Sequence, residues 1–144
     1  MTLQFIRLNP KALEPQRMSA HASGYDLYAC LVEAQILAPM QRAAIPTGIA
    51  LAIPEGFEAQ IRPRSGLALK LGLDVLNSPG TIDADYRGEI KVILINLSSE
   101  ELIISPGMRI AQMIFSKVQH FQLQECDSLE ETIRNAGGFG HTGE

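Results

Sequence analysis

From residue 1 to about 124 the chain breaks into short apolar or alternating runs roughly every ten residues, parted by Gly, Pro, Asn or Ser. That punctuation is the spacing of an all-β sandwich or barrel, because amphipathic helices need longer uninterrupted stretches. The runs are Leu3 to Arg7, Tyr25 to Leu31, Ala43 to Ile53, Phe57 to Arg62, Leu73 to Leu76, Glu89 to Leu97, Leu102 to Ile104, Gly107 to Phe115 and Val118 to Leu123. In one of them Phe57, Ala59 and Ile61 alternate with Glu58, Gln60 and Arg62, so one face is expected to be buried and the other wet. Pro39, Pro46 and Pro54 flank or interrupt the Ala43 to Ile53 run. Proline cannot donate to a central ladder, so this run is expected to be broken or at an edge. The one helix expected in the body is Ser65 to Leu71, with Ser65 as its cap and Leu67 to Lys70 as good helix formers. A second turn is expected from Ser128, which stands at capping-box spacing from Glu131.

A length of 144 residues with 46% hydrophobic and 19% charged content suits one packed domain. The longest aliphatic stretch, Val92 to Ile95, falls far short of the roughly 18 residues a membrane span requires. The first five residues carry no basic segment leading into an apolar one, so a cytoplasmic location and no membrane partner are expected. The net charge of -4 argues against a nucleic-acid polymer as partner. Arg62, Arg64, Lys70, Arg87, Arg109 and Arg134 nevertheless lie in or beside glycine-containing segments, and could converge on a small anion. Cys30 and Cys126 are too few for a disulfide framework, lack zinc-site spacing, and read as packing thiols.

Three segments bear on chemistry. In Arg62-Pro63-Arg64-Ser65-Gly66-Leu67-Ala68 a strand ends, a proline turns the chain, and a hydroxyl sits at a helix mouth. Unpaired N–H groups with guanidinium and hydroxyl donors beside them bind phosphate; an ordinary capped turn with solvated arginines fits the segment as well. Asn77 to Glu89 reads as a hairpin with a long tip, whose aspartates and tyrosine could supply a general base and an aromatic platform, or simply form Asx turns. The tail Arg134 to Gly143 is rich in unobstructed backbone donors but has neither the Lys-Ser/Thr pair nor the helix of a Walker A loop. Alone, it reads as a flexible terminus.

Taken in order, these segments resemble the five motifs of the trimeric deoxyuridine triphosphate nucleotidohydrolases, the dUTPases. Ala22-Ser23-Gly24-Tyr25-Asp26-Leu27 resembles the first and Arg62 to Lys70 the second. Asn77 to Glu89, with Gly80-x-Ile82-Asp83-x-x-Tyr86-x-Gly88, resembles the third. Gly107-Met108-Arg109-Ile110-Ala111-Gln112 resembles the fourth, and Arg134 to Gly143 the fifth.

The resemblance implies an all-β β-clip, or distorted jelly roll, with a body over residues 1–133 and a glycine-rich lid arm over 134–144. It also implies a homotrimer in which three subunits build each active site. The implied reaction is hydrolysis of dUTP to dUMP and pyrophosphate, keeping uracil out of DNA and supplying thymidylate precursor. Asp83 would orient and deprotonate the water that attacks the α-phosphorus; a carboxylate of pKa about 3.9 is a weak base, so positioning must supply much of the rate. Ser65, Gly66 and Gln112 match phosphate-contacting positions, with Arg64 supporting the cradle. Asn77 matches the asparagine of the uracil-reading hairpin, and Thr81 and Ile82 belong to the same hairpin. Tyr86 matches the tyrosine that lies against deoxyribose, Phe139 a ring that stacks on uracil, and Arg134 a γ-phosphate contact. Gly140 and Thr142 complete the tail's substrate contacts. Mg²⁺ is the implied cofactor, carried by the phosphates and reached through water by Asp26. His141 stands where the family usually has a small hydroxyl residue, and reads as a loop filler; His21 and His120 read as surface or packing residues. The alternatives are a dCTP deaminase relative, a nucleotide-binding regulator without turnover, and a structural β-sandwich.

Overall fold

The structure, a computed structural model, describes residues 2–138. Within them lie eleven strands and one short helix. The strands are β1 (Gln4–Arg7), β2 (Tyr25–Tyr28), β3 (Gln35–Leu37), β4 (Arg42–Pro46), β5 (Ile49–Ala52), β6 (Phe57–Arg62), β7 (Leu73–Val75), β8 (Gly80–Ile82), β9 (Lys91–Asn96), β10 (Leu102–Ile104) and β11 (Arg109–Lys117), and the helix is α1 (Ser65–Leu71). They form four small antiparallel sheets in the orders β1-β5, β3-β10, β2-β11-β6-β8 and β4-β9-β7, the all-β architecture expected from the strand spacing and the distorted jelly roll that the resemblance implies.

One apolar core joins the sheets. Leu27, Leu37, Ile45, Leu94, Ile104 and Ala111 are fully buried, and Ala59 and Ile61 supply the inward face of β6 as the alternation predicts. The proline-flanked run is broken as expected: Thr47 and Gly48 separate β4, at a sheet edge, from β5, which pairs with β1. The turn is locked by Thr47 Oγ1 donating to the Ile90 carbonyl at 2.7 Å, and by the Gly48 N–H donating to Glu89 Oε1 at 2.9 Å.

Several sequence expectations are corrected. Ser65 is the first helical residue and not the cap; Arg64 holds the cap position in extended conformation, with no side-chain cap bond. The helix stops at Gly72, whose left-handed φ of 63° lets its N–H return to the Ala68 carbonyl. Residues 118–123 form no strand, because their only backbone bond to the body is from Val118 N–H to the Gly56 carbonyl. No helical turn begins at Ser128; Thr132 and Asn135 instead bond each other's backbone, closing a turn further on. Cys30 does pack against the core, and burial, with the charge of Glu89, pushes its thiol up, while Lys11 opposes the shift. Cys126 is exposed and is not a packing thiol of the core.

Asn96 is the main buried polar anchor. Its Nδ2 donates to the Leu37 and Glu100 carbonyls at 2.9 and 2.7 Å, and its Oδ1 accepts from Ser98 N–H and Oγ at 2.9 and 2.8 Å. It thereby ties β3 to β9 and to the loop before β10. Replacing Asn96 with Ala strands those buried partners, and is expected to cost about 2 to 3 kcal/mol. An unchanged thermal unfolding midpoint would show the network to be dispensable.

Candidate active site

The central sheet β2-β11-β6-β8 gathers the residues singled out in four separated segments. A register shift in β11 between Arg109 and Ala111 buries both Ile110 and Ala111, which resets the alternation. Arg109 and Gln112 therefore fall on the same outward side despite being three residues apart.

Asp26, 8% exposed on β2, stands beside that side and is held by two guanidiniums. Arg64 Nε lies 3.2 Å from Oδ1 and Arg109 Nη1 3.2 Å from Oδ2. Arg64 Nη1 also donates to the Arg109 carbonyl at 3.3 Å, and Gln112 Nε2 donates to the Pro63 carbonyl at 2.9 Å. Three distant segments thus meet at the start of α1, where Ser65 and Gly66 are exposed. Space beyond Gly66 is open, with nothing within 4 Å of a Cβ placed there. The cluster presents fixed cationic and hydroxyl donors on an accessible surface, a chemistry suited to an anion.

A second group forms on the hairpin between β7 and β9. Thr81, Ile82, Asp83 and Tyr86 line an open cleft of about 430 Å³, together with Ala44, Glu89, Lys91 and Ile93. Asp83 is exposed, and its carbonyl accepts from the Tyr86 N–H at 3.2 Å. Tyr86 Oη donates to the Glu89 carbonyl at 3.0 Å, folding the ring back over the hairpin. Arg87 Nη1 donates to the Ala84 and Tyr86 carbonyls at 2.6 and 2.9 Å, bracing the turn. Asn77 is exposed at the start of the hairpin, close to Gly80. Lys91 and Ile93 escape a reading by motif, since only the alternation of β9 places them on the cleft side.

The two groups are not adjacent within one chain. Ile82 pairs with Ala59, so Asp83 falls level with Glu58, whereas Arg62, just before the Arg64 cluster, is about 13 Å further along β6. Nor do the six cations converge here: only Arg64 and Arg109 meet. Arg62 turns to Gln60, Arg87 to its own hairpin, and Arg134 Nε to the Gly137 carbonyl at 2.7 Å. Lys70 is exposed in the last turn of α1. Phe139, Gly140, His141 and Thr142 lie outside the described residues. His21 and His120 are exposed.

A second cavity of about 440 Å³, lined largely by Leu3, Phe5, Tyr25, Phe57, Met113 and Phe115, contains none of the expected site residues. Among the described residues no three His, Cys, Asp or Glu side chains cluster closely enough to hold a metal ion, and no helix is long and apolar enough to cross a membrane.

Known proteins resemble this chain in sequence and in fold. The dUTPase family model matches residues 11–143. A curated relative from Syntrophotalea carbinolica, a deoxyuridine 5'-triphosphate nucleotidohydrolase, is 53% identical over 99% of this chain and 97% of its own length. A solved variant of the dUTPase of phage 80alpha superposes with a TM-score of 0.88 at 27% identity, over 97% of this chain and 98% of that one. A variant dUTPase from phage phi11 of S. aureus, solved to describe a structural Mg(II) ion, gives 0.83 at 25% identity, over 91% of this chain and all of that one.

Asp26→Asn preserves shape but removes the charge that holds two guanidiniums. We expect a stability loss of about 1 to 2 kcal/mol at low salt that shrinks in 1 M NaCl, where exposed parts of the pairing are screened. A loss independent of salt would assign the effect to packing instead.

Proposed function

The chain belongs to the dUTPase family, and on that premise we propose that it hydrolyses dUTP to dUMP and pyrophosphate with Asp83 activating the attacking water. The single observation that carries the residue assignment is the cleft in which Asp83, Tyr86, Thr81 and Ile82 stand together. Asp83 is the carboxylate there that precedes the turn closed by Tyr86. It would accept the water's proton and aim the oxygen at the α-phosphorus, opposite the departing pyrophosphate. Because an exposed aspartate is a weak base, orientation and charge neutralisation supply the larger share of the rate.

Arg64, Ser65, Gly66 and Gln112 form the proposed phosphate cradle. The Asp26 pairing supports this by fixing Arg64 and Arg109 before substrate arrives, which lowers the ordering cost of binding. Asn77 and the backbone around Thr81 and Ile82 would read uracil, for which a missing or reversed hydrogen bond in a dry site excludes cytosine by about 10⁴. The Tyr86 ring would wall off the ribose 2′-hydroxyl. Arg134, Phe139, Gly140 and Thr142 are assigned to a lid over residues 134–144 that closes on the γ-phosphate and the base, against a body over residues 1–133.

Mg²⁺ fits as a companion of the substrate. A lone carboxylate already paired with two arginines cannot hold the ion by itself, whereas an ion brought by phosphate oxygens needs from Asp26 only a water-mediated contact. When bound, it neutralises phosphate charge.

We further propose that the active unit is a homotrimer. Two observations support this. The cradle and the Asp83 cleft are separated along β6 within one chain, so complementary halves from neighbouring copies are needed to enclose one triphosphate. The segment after β11 also leaves Phe121, Leu123 and Ile133 exposed at 79%, 95% and 107%, which suits an arm that packs on another copy. The names of the relatives favour this reading over a dCTP deaminase or a binding regulator.

A pyrophosphate-release assay with dUTP, dTTP, dCTP and UTP tests the reaction: dUTP alone should turn over rapidly, and release of orthophosphate or ammonia would refute it. Asp83→Asn is expected to lower turnover by about 10² to 10⁴ while dUTP binding persists; undiminished turnover would remove Asp83 from its role. Truncation before Arg134 should leave a trimer by light scattering but depress hydrolysis, and a truncated chain that stays monomeric would contradict the assignment of the arm to closure.

A further inference from the structure

We propose that Gly88 is a positioning residue that sets selectivity for the sugar, by providing the surface on which the Tyr86 ring rests. The inference rests on the reading of Tyr86 as the wall against the sugar, and goes beyond it by asking what holds that wall in place.

The ring lies across the hairpin with its hydroxyl bonded to the Glu89 carbonyl, directly over Gly88. A Cβ built on Gly88 would stand 2.6 Å from Tyr86 Cζ and 3.0 Å from Cε2, with the hydroxyl oxygen nearer still. Carbon atoms in contact prefer about 3.5 to 4.0 Å, so a methyl and the ring cannot share this space. Gly88 is not among the residues with positive φ, so its backbone conformation is open to alanine. The three atoms nearest to such a Cβ all belong to the Tyr86 side chain.

The ring is also the part that would yield. Tyr86 is 44% exposed and turns about two side-chain torsions, whereas the backbone beneath it is held by Arg87 on the Ala84 and Tyr86 carbonyls. Alanine at Gly88 would therefore lift the ring from the hairpin, break its bond to Glu89, and leave Asp83 and the fold in place.

The same arrangement recurs twice in the site. A Cβ on Gly80 would stand 2.9 Å from Asn77 Nδ2, and one on Gly24 would stand 3.2 Å from Gln112 Cβ and 3.3 Å from Cδ. The side chains assigned to sugar, base and phosphate each lie against a glycine. Gly88 is the instance in which the obstruction involves a rigid ring and a measurable selectivity.

The test compares the full-length wild type, Gly88→Ala, Tyr86→Ala and the double variant, measuring kcat and KM for dUTP and UTP with thermal unfolding in parallel. Gly88→Ala is expected to lower the dUTP-over-UTP ratio of kcat/KM by about tenfold or more. In the Tyr86→Ala background the same change should move the ratio by less than about twofold, because the coupled partner is gone. Retained selectivity in Gly88→Ala, or an equal loss in both backgrounds, would overturn the role of Gly88 while leaving Tyr86 as the wall. A wild type indifferent to the 2′-hydroxyl would overturn both. If Gly88→Ala fails to fold, folding of the double variant sustains the proposed clash, and failure of both refutes it.

Discussion

A chain of net charge -4 that handles a triphosphate must concentrate positive charge locally, and the Asp26 pairing is where two guanidiniums are held together among the described residues. Two guanidiniums left alone at this separation would repel and splay into solvent. The carboxylate between them converts that repulsion into two attractive contacts in a partly buried setting, where Coulomb interactions are stronger than in water. The arrangement has a consequence for binding strength. Two cations and one anion leave the trio with a single net positive charge, too little to neutralise a triphosphate. On the proposed reading the remaining charge comes from the ion that accompanies the substrate and from Arg134, whose Nε bonds the Gly137 carbonyl in the isolated chain. That reading couples binding to closure of the proposed lid through charge.

The strand punctuation carried most of the fold, since turn residues and period-2 alternation are local signals. β6, α1 and β10 agree with their sequence-derived bounds residue for residue. The misses have physical causes. β3 and β8 open on Gln35 and Gly80, which leaves only two β-forming residues in each where β10 has three, and they exist because β10 and β6 offer them partners. Residues 118–123 show a strand's composition without a strand, because a β ladder needs a neighbour that this chain by itself does not provide. The cap at α1 was misplaced by one residue because Arg64, already held at Asp26, takes the extended position ahead of the first helical turn.

The site was legible as ordered motifs, but its internal structure was not. Nothing in the spacing of Asp26, Arg64 and Arg109 says that they form one ion-paired unit; that follows from the bulge in β11, which a sequence pattern hides as two adjacent apolar residues. Nor do the motifs reveal that the hairpin cleft and the cationic cradle face different regions of a single chain. The proposed trimer accommodates this separation, since in it each chain would supply two incomplete halves that join unlike halves of neighbouring copies. Under that arrangement, assembly is part of the chemistry.

Three aspartates in the relevant motifs are alike in sequence, and their surroundings separate their roles. Asp26 has another task, because each of its two oxygens is paired with a guanidinium. Asp85 lies on the hairpin but does not line the cleft. Asp83 lines it and joins none of the ion pairs among the described residues, so its oxygens remain accessible to a water molecule. An accessible carboxylate is a weak base, and it becomes an effective one only when the water and the phosphorus are held in line and bulk solvent is excluded. On the proposed reading this places the demand for precision on the cradle, the hairpin and the lid, and it fits the close contacts of Tyr86, Asn77 and Gln112 with glycines. With Asp83 as the proposed proton acceptor, what the fold has to supply is the placement of everything around it.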